Sequence, residues 1–165
     1  MKKSSFLNKL RKDGKIELVE PSEEIKDSYL EKADNCLKAA KILLQSELYE
    51  NSIIDSYYVM YNSLLALLYK VGIKSENHSA TIVLLNTLFD AKDLFRLISF
   101  AKEERIDKQY YVETKGGLEL TKETCEDMVA KAENYLVKIK LLVGRINNDD
   151  VASIRAKFLR LFKET

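Results

Sequence analysis

Tryptophan is absent from this sequence, and three other residue types are scarce: one Pro, one His and two Cys in 165 residues. With a single proline, Pro21, and five glycines, neither Pro-rich linkers nor collagen-like repeats are available, and long helices can run uninterrupted. Cys36 and Cys125 sit among apolar residues at helical spacing, with no C-x-x-C or Cys/His pattern. That excludes a structural zinc site of the usual kinds and leads us to expect a reducing compartment. No charge sign dominates, because 27 Lys and Arg stand against 26 Asp and Glu for a net charge of +1. The chain therefore has no global field for nucleic acid or an anionic membrane, and any such partner must use a local patch. We expect no DNA sequence readout. No stretch approaches the roughly 20 apolar residues of a membrane span, and none of signal-peptide length follows Met1-Lys2-Lys3-Ser4-Ser5-Phe6. The expectation is a cytoplasmic protein with no membrane partner. Phosphate-binding Gly loops, H-E-x-x-H, paired E-x-x-H and a nucleophile elbow are all missing. Most enzyme classes drop out, and no metal or cofactor is expected.

What is present is helical periodicity. Hydrophobic residues make up 46% of the chain and charged residues 32%, a balance that suits amphipathic helices better than disorder. Residues 1–21 read as a basic arm containing one short helix, with Lys2, Lys3, Lys9, Arg11, Lys12 and Lys15 against Asp13. Pro21-Ser22-Glu23-Glu24 is a helix start: Ser22 can accept from orphan N–H groups, and the two glutamates suit the positive end of the dipole. Leu30, Ala33, Leu37, Ala40 and Leu44 then recur every three or four residues, and that helix stops near Ser46.

A second helix from about Asn51 carries Ile54, Tyr57, Tyr58, Tyr61, Leu64, Leu65 and Leu68 to Gly72. It is apolar on most of its surface and so expected to be central. Its tyrosines read first as core, with a base-stacking platform as the alternative. Two shorter helices follow, around Ile82 to Leu88 and Leu94 to Ala101, and Asp107 to Leu120 reads as an ordered loop. Thr121 opens a long helix whose stripe, from Cys125 to Leu142, stops at Gly144. Asn147-Asn148-Asp149-Asp150 caps a terminal amphipathic helix over 145–165 that packs on the bundle or on a partner. The fold class is all-α: an antiparallel bundle of four to five core helices over 22–144, with the N-terminal arm and the C-terminal amphipathic helix.

Chemistry centres on His78, the sole histidine, at the junction Lys74-Ser75-Glu76-Asn77-His78-Ser79, where a helix begins and exposed N–H groups can hold a phosphate. The plain alternative is a capping or packing histidine.

The run Asn51-Ser52-Ile53-Ile54-Asp55-Ser56-Tyr57-Tyr58-Val59-Met60-Tyr61, then Leu64 to Leu68, Gly72, His78-Ser79 and Phe89, resembles the HEPN (higher eukaryotes and prokaryotes nucleotide-binding) family. Arg105-Ile106-Asp107-Lys108-Gln109-Tyr110-Tyr111 and the helix from Thr121 resemble the later part of its small archaeal and bacterial members, so that the likeness spans roughly residues 22 to 143. The resemblance implies a helical bundle, a homodimer, RNA or a nucleotide as ligand, and a minimal nucleotidyltransferase as partner in a toxin–antitoxin type pair. Active members are similar in an Arg followed four to six residues later by His, and they cut RNA without metal. His78 matches that histidine, while Lys74, three intervening residues earlier, stands where the Arg belongs, and Ala80 stands where silenced members carry a modified Tyr.

Three readings follow. One is a HEPN-like component that binds a nucleotide or a nucleotidyltransferase without the full catalytic motif. Another is a metal-independent endoribonuclease with His78 as acid or base, Lys74 as phosphate clamp and Asn77 in support. The last is a structural helical interaction protein. Arg105 or Arg96 would supply the missing guanidinium if folding brings either to His78, and Lys74, Ser79 and Tyr110 are the candidate nucleotide contacts.

Overall fold

A computed structural model describes residues 2–110 and 119–162, leaving aside the side chains of residues 2–4 and 107–110. Seven helices and two very short strands appear in it: α1 Lys2–Lys12, β1 Ile16–Leu18, α2 Glu23–Gln45, α3 Tyr49–Lys70, β2 Ile73–Ser75, α4 His78–Phe89, α5 Lys92–Tyr110, α6 Lys122–Arg145 and α7 Asn148–Arg160. The architecture is the all-α bundle that the periodicity implies. None of the described helices is long and apolar enough to cross a membrane.

Helix α3 is the axis. Ile53, Tyr57, Met60, Leu64, Leu67 and Leu68 are wholly or almost wholly buried, and the helix packs against α2, α5 and α6. Its serines also face inward, and the hydroxyls of Ser52, Ser56 and Ser63 donate to the carbonyls of Ala40, Ser52 and Met60 at 2.7, 2.8 and 2.9 Å. A buried hydroxyl bonded in this way is not left with an unmet desolvation cost. Small Ala33 and Ala40 on α2 are fully buried. Ser22 caps α2 by accepting from the Ile25 N–H at 3.1 Å, and Thr121 and Asn147 cap α6 and α7 with reciprocal capping boxes.

One expectation is corrected. The helix expected from about Asn51 begins at Tyr49, whereas the loop expected from Asp107 starts later, because α5 continues to Tyr110. On α5 the inward positions run Ile98, Ala101, Glu104, and Glu104 is only 5% exposed. A buried glutamate hides the helical period from a hydrophobicity reading. Residues 111–118 of the same expected loop lie outside the described residues.

Non-local pairing also builds a two-stranded antiparallel sheet, with Ile16 opposite Ser75, Glu17 opposite Lys74 and Leu18 opposite Ile73. Ile16 and Ile73 are fully buried beneath it. The sheet fastens the chain before α2 to the connection between α3 and α4, which is the connection that aims His78.

Helix α7 closes the same end. Phe158 is buried, the Arg11 guanidinium lies 4.5 Å from the Phe162 ring centroid, and Lys157 Nζ donates to the Leu88 carbonyl at 3.2 Å. Arg155 Nη1 reaches the carbonyls of Val19, Gly72 and Val71 at 2.7, 3.0 and 3.2 Å. One cation thereby satisfies carbonyls at the C-terminal end of α3 and beside β1.

Candidate functional site

Spacing on α3 sets up the site. Tyr57 and Tyr61 are four residues apart and so share a face, with Tyr58 on the adjoining one. Across from them, α4 starts at His78. Asn77 is its N-cap, accepting from the Ala80 N–H at 3.0 Å, so His78 itself is freed from the capping role. The Thr81 hydroxyl lies 2.8 Å from Ser75 Oγ and 2.9 Å from the Asn77 carbonyl, tying the first turn of α4 to β2.

His78 meets all three tyrosines. Its ring stacks on Tyr61 at 3.9 Å between centroids and 7° between planes. Tyr58 stands edge-on to it at 6.4 Å and 85°, and the Tyr57 hydroxyl is 2.5 Å from Nδ1. Burial raises the Tyr57 phenol well above its ordinary range, so Tyr57 keeps its proton at neutral pH. The pair has two arrangements. Either the phenol donates to Nδ1 and Nε2 carries hydrogen, or Nδ1–H donates to the phenol oxygen and Nε2 presents a lone pair. Among the described residues nothing bonds Nε2.

Helix α5 completes the cluster with two cations three residues apart, hence on one face. The Arg105 guanidinium lies 5.1 Å from the Tyr57 ring centroid and 5.8 Å from that of Tyr58, and its Nη1 donates to the Tyr58 hydroxyl at 3.2 Å. A guanidinium over aromatic faces is held by their quadrupoles and kept flat. Lys102 Nζ donates to Ser79 Oγ at 2.6 Å. Burial first, then Arg105, then Lys102, lowers the His78 pKa below its ordinary 6.5.

That shift gives a direct measurement, because the chain has one histidine and its imidazole resonance in a proton NMR titration is unambiguous. We expect a midpoint below 6.5, moved upward by Lys102→Ala and by Arg105→Ala yet still below 6.5, since burial is the leading cause. A wild-type midpoint at or above 6.5 would refute this account of the site. The sign for stability follows from linkage. Between the folded and unfolded pKa values the unfolded chain binds more protons, so His78's contribution is full above about 6.5 and is lost as pH falls through the lowered folded value.

The other candidate residues are placed as follows. Arg105 is brought to His78. Arg96 is 78% exposed and 4.0 Å from Asp93. Lys74, on β2, has its ammonium 3.1 Å from Glu17 and 3.0 Å from Glu76, and Glu76 is also held by Lys15 at 3.0 Å. These carboxylates raise the Lys74 pKa, Glu76 contributing most, and they already neutralise its charge. Asn77 is engaged as the cap, Ser79 accepts from Lys102, and the side chain of Tyr110 lies outside the described residues. Sequence reasoning passed over Lys102 and treated the tyrosines chiefly as core. The signal available was the shared face of Lys102 and Arg105. Among the described residues no group of acidic, His and Cys side chains is arranged to hold a metal ion.

Comparison with known proteins agrees with this fold. The chain is 28% identical over 127 residues to a UPF0332 protein of Thermotoga maritima, covering 73% of this chain and 92% of that protein. The HEPN domain profile matches residues 27–142, a span that takes in all of α3, the His78 junction, α5 and most of α6, and so the chain belongs to the HEPN domain family.

Proposed function

We propose that this protein is an RNA- or nucleotide-binding HEPN module whose contact surface is the cluster of Tyr58, His78, Lys102 and Arg105. It acts as a homodimer and as one member of a toxin–antitoxin type pair, with a minimal nucleotidyltransferase as the other. HEPN membership supports a nucleotide- or RNA-related role in general. The observation that carries the assignment to this surface is the Arg105 guanidinium laid across Tyr57 and Tyr58 beside the half-buried His78 ring. A planar fork of donors suits phosphate oxygens, an aromatic edge suits a base, and two cations on one helix face make the local patch that the balanced net charge otherwise denies.

The test is fluorescence anisotropy of a labelled single-stranded RNA of mixed sequence with the wild-type chain and Arg105→Ala. Hydrogen bonds to charged groups contribute about 1.5–3 kcal/mol each, so we expect affinity to fall by roughly tenfold or more, with a shallower salt dependence. Equal binding by wild type and folded Arg105→Ala would refute the assignment. Co-expression with a nucleotidyltransferase encoded beside this chain should give a co-purifying complex, and two proteins that elute separately would remove that partner.

A second reading, metal-independent RNA cleavage, is favoured by one observation. The Nε2 of His78, which no described residue bonds, shares its site with a guanidinium, so an acid–base group and a phosphorane-stabilising group stand together.

A further inference from the structure

A groove of about 210 Å3 runs between α4 and α5 next to this cluster. Its walls are Val83, Phe95 and Ile106, and Ser99, Lys102 and Glu103 stand at its polar side. It begins where the cluster ends in two separate places along the chain: Ser79, which lines it, directly follows His78, and Ile106 directly follows Arg105. Lys102 belongs to both, since its ammonium lowers the His78 pKa and bonds Ser79 at the mouth of the groove. Small-molecule pockets commonly enclose about 300 to 1,000 Å3, so this groove takes a single planar ring and not a whole nucleotide or a helix.

We infer that the α4–α5 groove is a nucleobase subsite, in which the base of a nucleotide stacks against Phe95 while its phosphate lies between Lys102 and Arg105. The inference rests on the proposed function and adds to it where the strand runs and what grips it. The cation at the mouth selects an anionic ligand, the apolar walls require that its attached group be flat and weakly hydrated, and a base joined to its own phosphate meets both conditions. Ser99, donor and acceptor at once, and the Glu103 carboxylate, an acceptor, face the ring edge, where bases carry their polar groups. An apolar side chain of a protein partner would meet the walls but would leave the cationic mouth without a ligand.

The experiment is anisotropy with two labelled probes, a single-stranded RNA of mixed sequence and a ribose-phosphate strand of the same length without bases. The proteins are wild type, Phe95→Leu, Ser99→Trp and Arg105→Ala, each checked by circular dichroism. Phe95→Leu removes the stacking face, and Ser99→Trp fills the groove from its half-exposed side. Wild type should bind RNA roughly tenfold more tightly than the baseless strand. Both groove variants should erase most of that preference while leaving binding of the baseless strand unchanged. Arg105→Ala should weaken binding of both probes. If the folded groove variants keep the wild-type preference while Arg105→Ala weakens both probes, the groove assignment falls and the proposed function stands. Equal wild-type affinity for the two probes also overturns the groove. If wild type binds neither probe, the groove and the proposed function fall together.

Discussion

Gly72→Ala is expected to destabilise the fold by about 3–5 kcal/mol, a large part of the roughly 5–15 kcal/mol that holds an ordinary domain together. Gly72 follows α3 at φ +70°, a left-handed conformation that costs an L-residue about 1–2 kcal/mol. Space is the second obstacle. A Cβ there would stand 2.1 Å from Arg155 Nη1, 2.4 Å from the Val19 carbonyl oxygen and 2.9 Å from Pro21 N. The arginine can swing away, but it then leaves the carbonyls of Val19, Val71 and Gly72 that it bonds, and a charged hydrogen bond is worth about 1.5–3 kcal/mol. The backbone at Val19 and Pro21 cannot yield so easily, because Val19 N donates to the Gly72 carbonyl at 2.9 Å and Ser22 N to that of Tyr69 at 3.2 Å.

Urea unfolding of Gly72→Ala, Arg155→Ala and the double variant separates the parts. Arg155→Ala alone should cost about 1.5–3 kcal/mol. In the double variant the guanidinium clash is gone while the Val19 contact and the left-handed strain remain, so its loss should be smaller than the sum of the singles. A Gly72→Ala chain within about 1 kcal/mol of wild type would show that the α3–β2 junction is looser than its geometry. The position matters for function because β2 and Asn77 follow it directly and set the direction in which α4 presents His78.

The helices were legible for a local reason. Ser22, Gly72, Thr121 and Asn147 mark helix ends through short-range hydrogen bonds and backbone freedom, and each stripe repeats within a few turns of its own helix. The sheet was not legible, because each strand has three residues and its partner lies far off in sequence. The end of α5 was missed because Glu104 breaks the apolar pattern while remaining buried. The site was visible only as a histidine and a set of separate options. His78 was singled out by being the sole residue of its type, but the choice between Arg96 and Arg105 depends on how α5 lies across α3, which no spacing within α5 records. Lys74 looked like a replacement for a guanidinium because it is near His78 in sequence. Strand pairing instead commits it to Glu17 on the opposite strand and to Glu76. The tyrosines were read chiefly as core because of their helical spacing, and Tyr57 is indeed fully buried. Yet its hydroxyl is the atom that holds His78 Nδ1, so packing and site chemistry share one side chain.

If the chain cleaves RNA, His78→Ala is expected to lower the rate by about 10²–10⁴-fold in chelator, the usual contribution of a positioned acid or base. In that reaction the proton of a ribose 2′-hydroxyl would pass to Nε2 as that oxygen attacks the adjacent phosphorus. The bond from phosphorus to the 5′-oxygen breaks, and the departing oxygen takes a proton from the imidazolium or from water, leaving a 2′,3′-cyclic phosphate. Tyr57 holds the ring through Nδ1 at 2.5 Å, and Arg105 would stabilise the charge on the phosphorane. Because burial and the two cations lower the His78 pKa, the imidazole is neutral at pH 7 and able to accept the proton. The rate should therefore rise with pH through that lowered value and be level by neutrality, and Arg105→Ala should move the rise to higher pH as well as reduce the rate. Arg105→Lys keeps the charge without the fork, so it should retain more RNA binding than Arg105→Ala while still cleaving slowly. A Lys74→Ala chain should cleave like wild type, since its ammonium already has two carboxylates within 3.1 Å. If folded His78→Ala cleaves as fast as wild type, His78 is not the acid or base. If wild type and variant are both inert while RNA binding persists, the cluster is a binding surface alone.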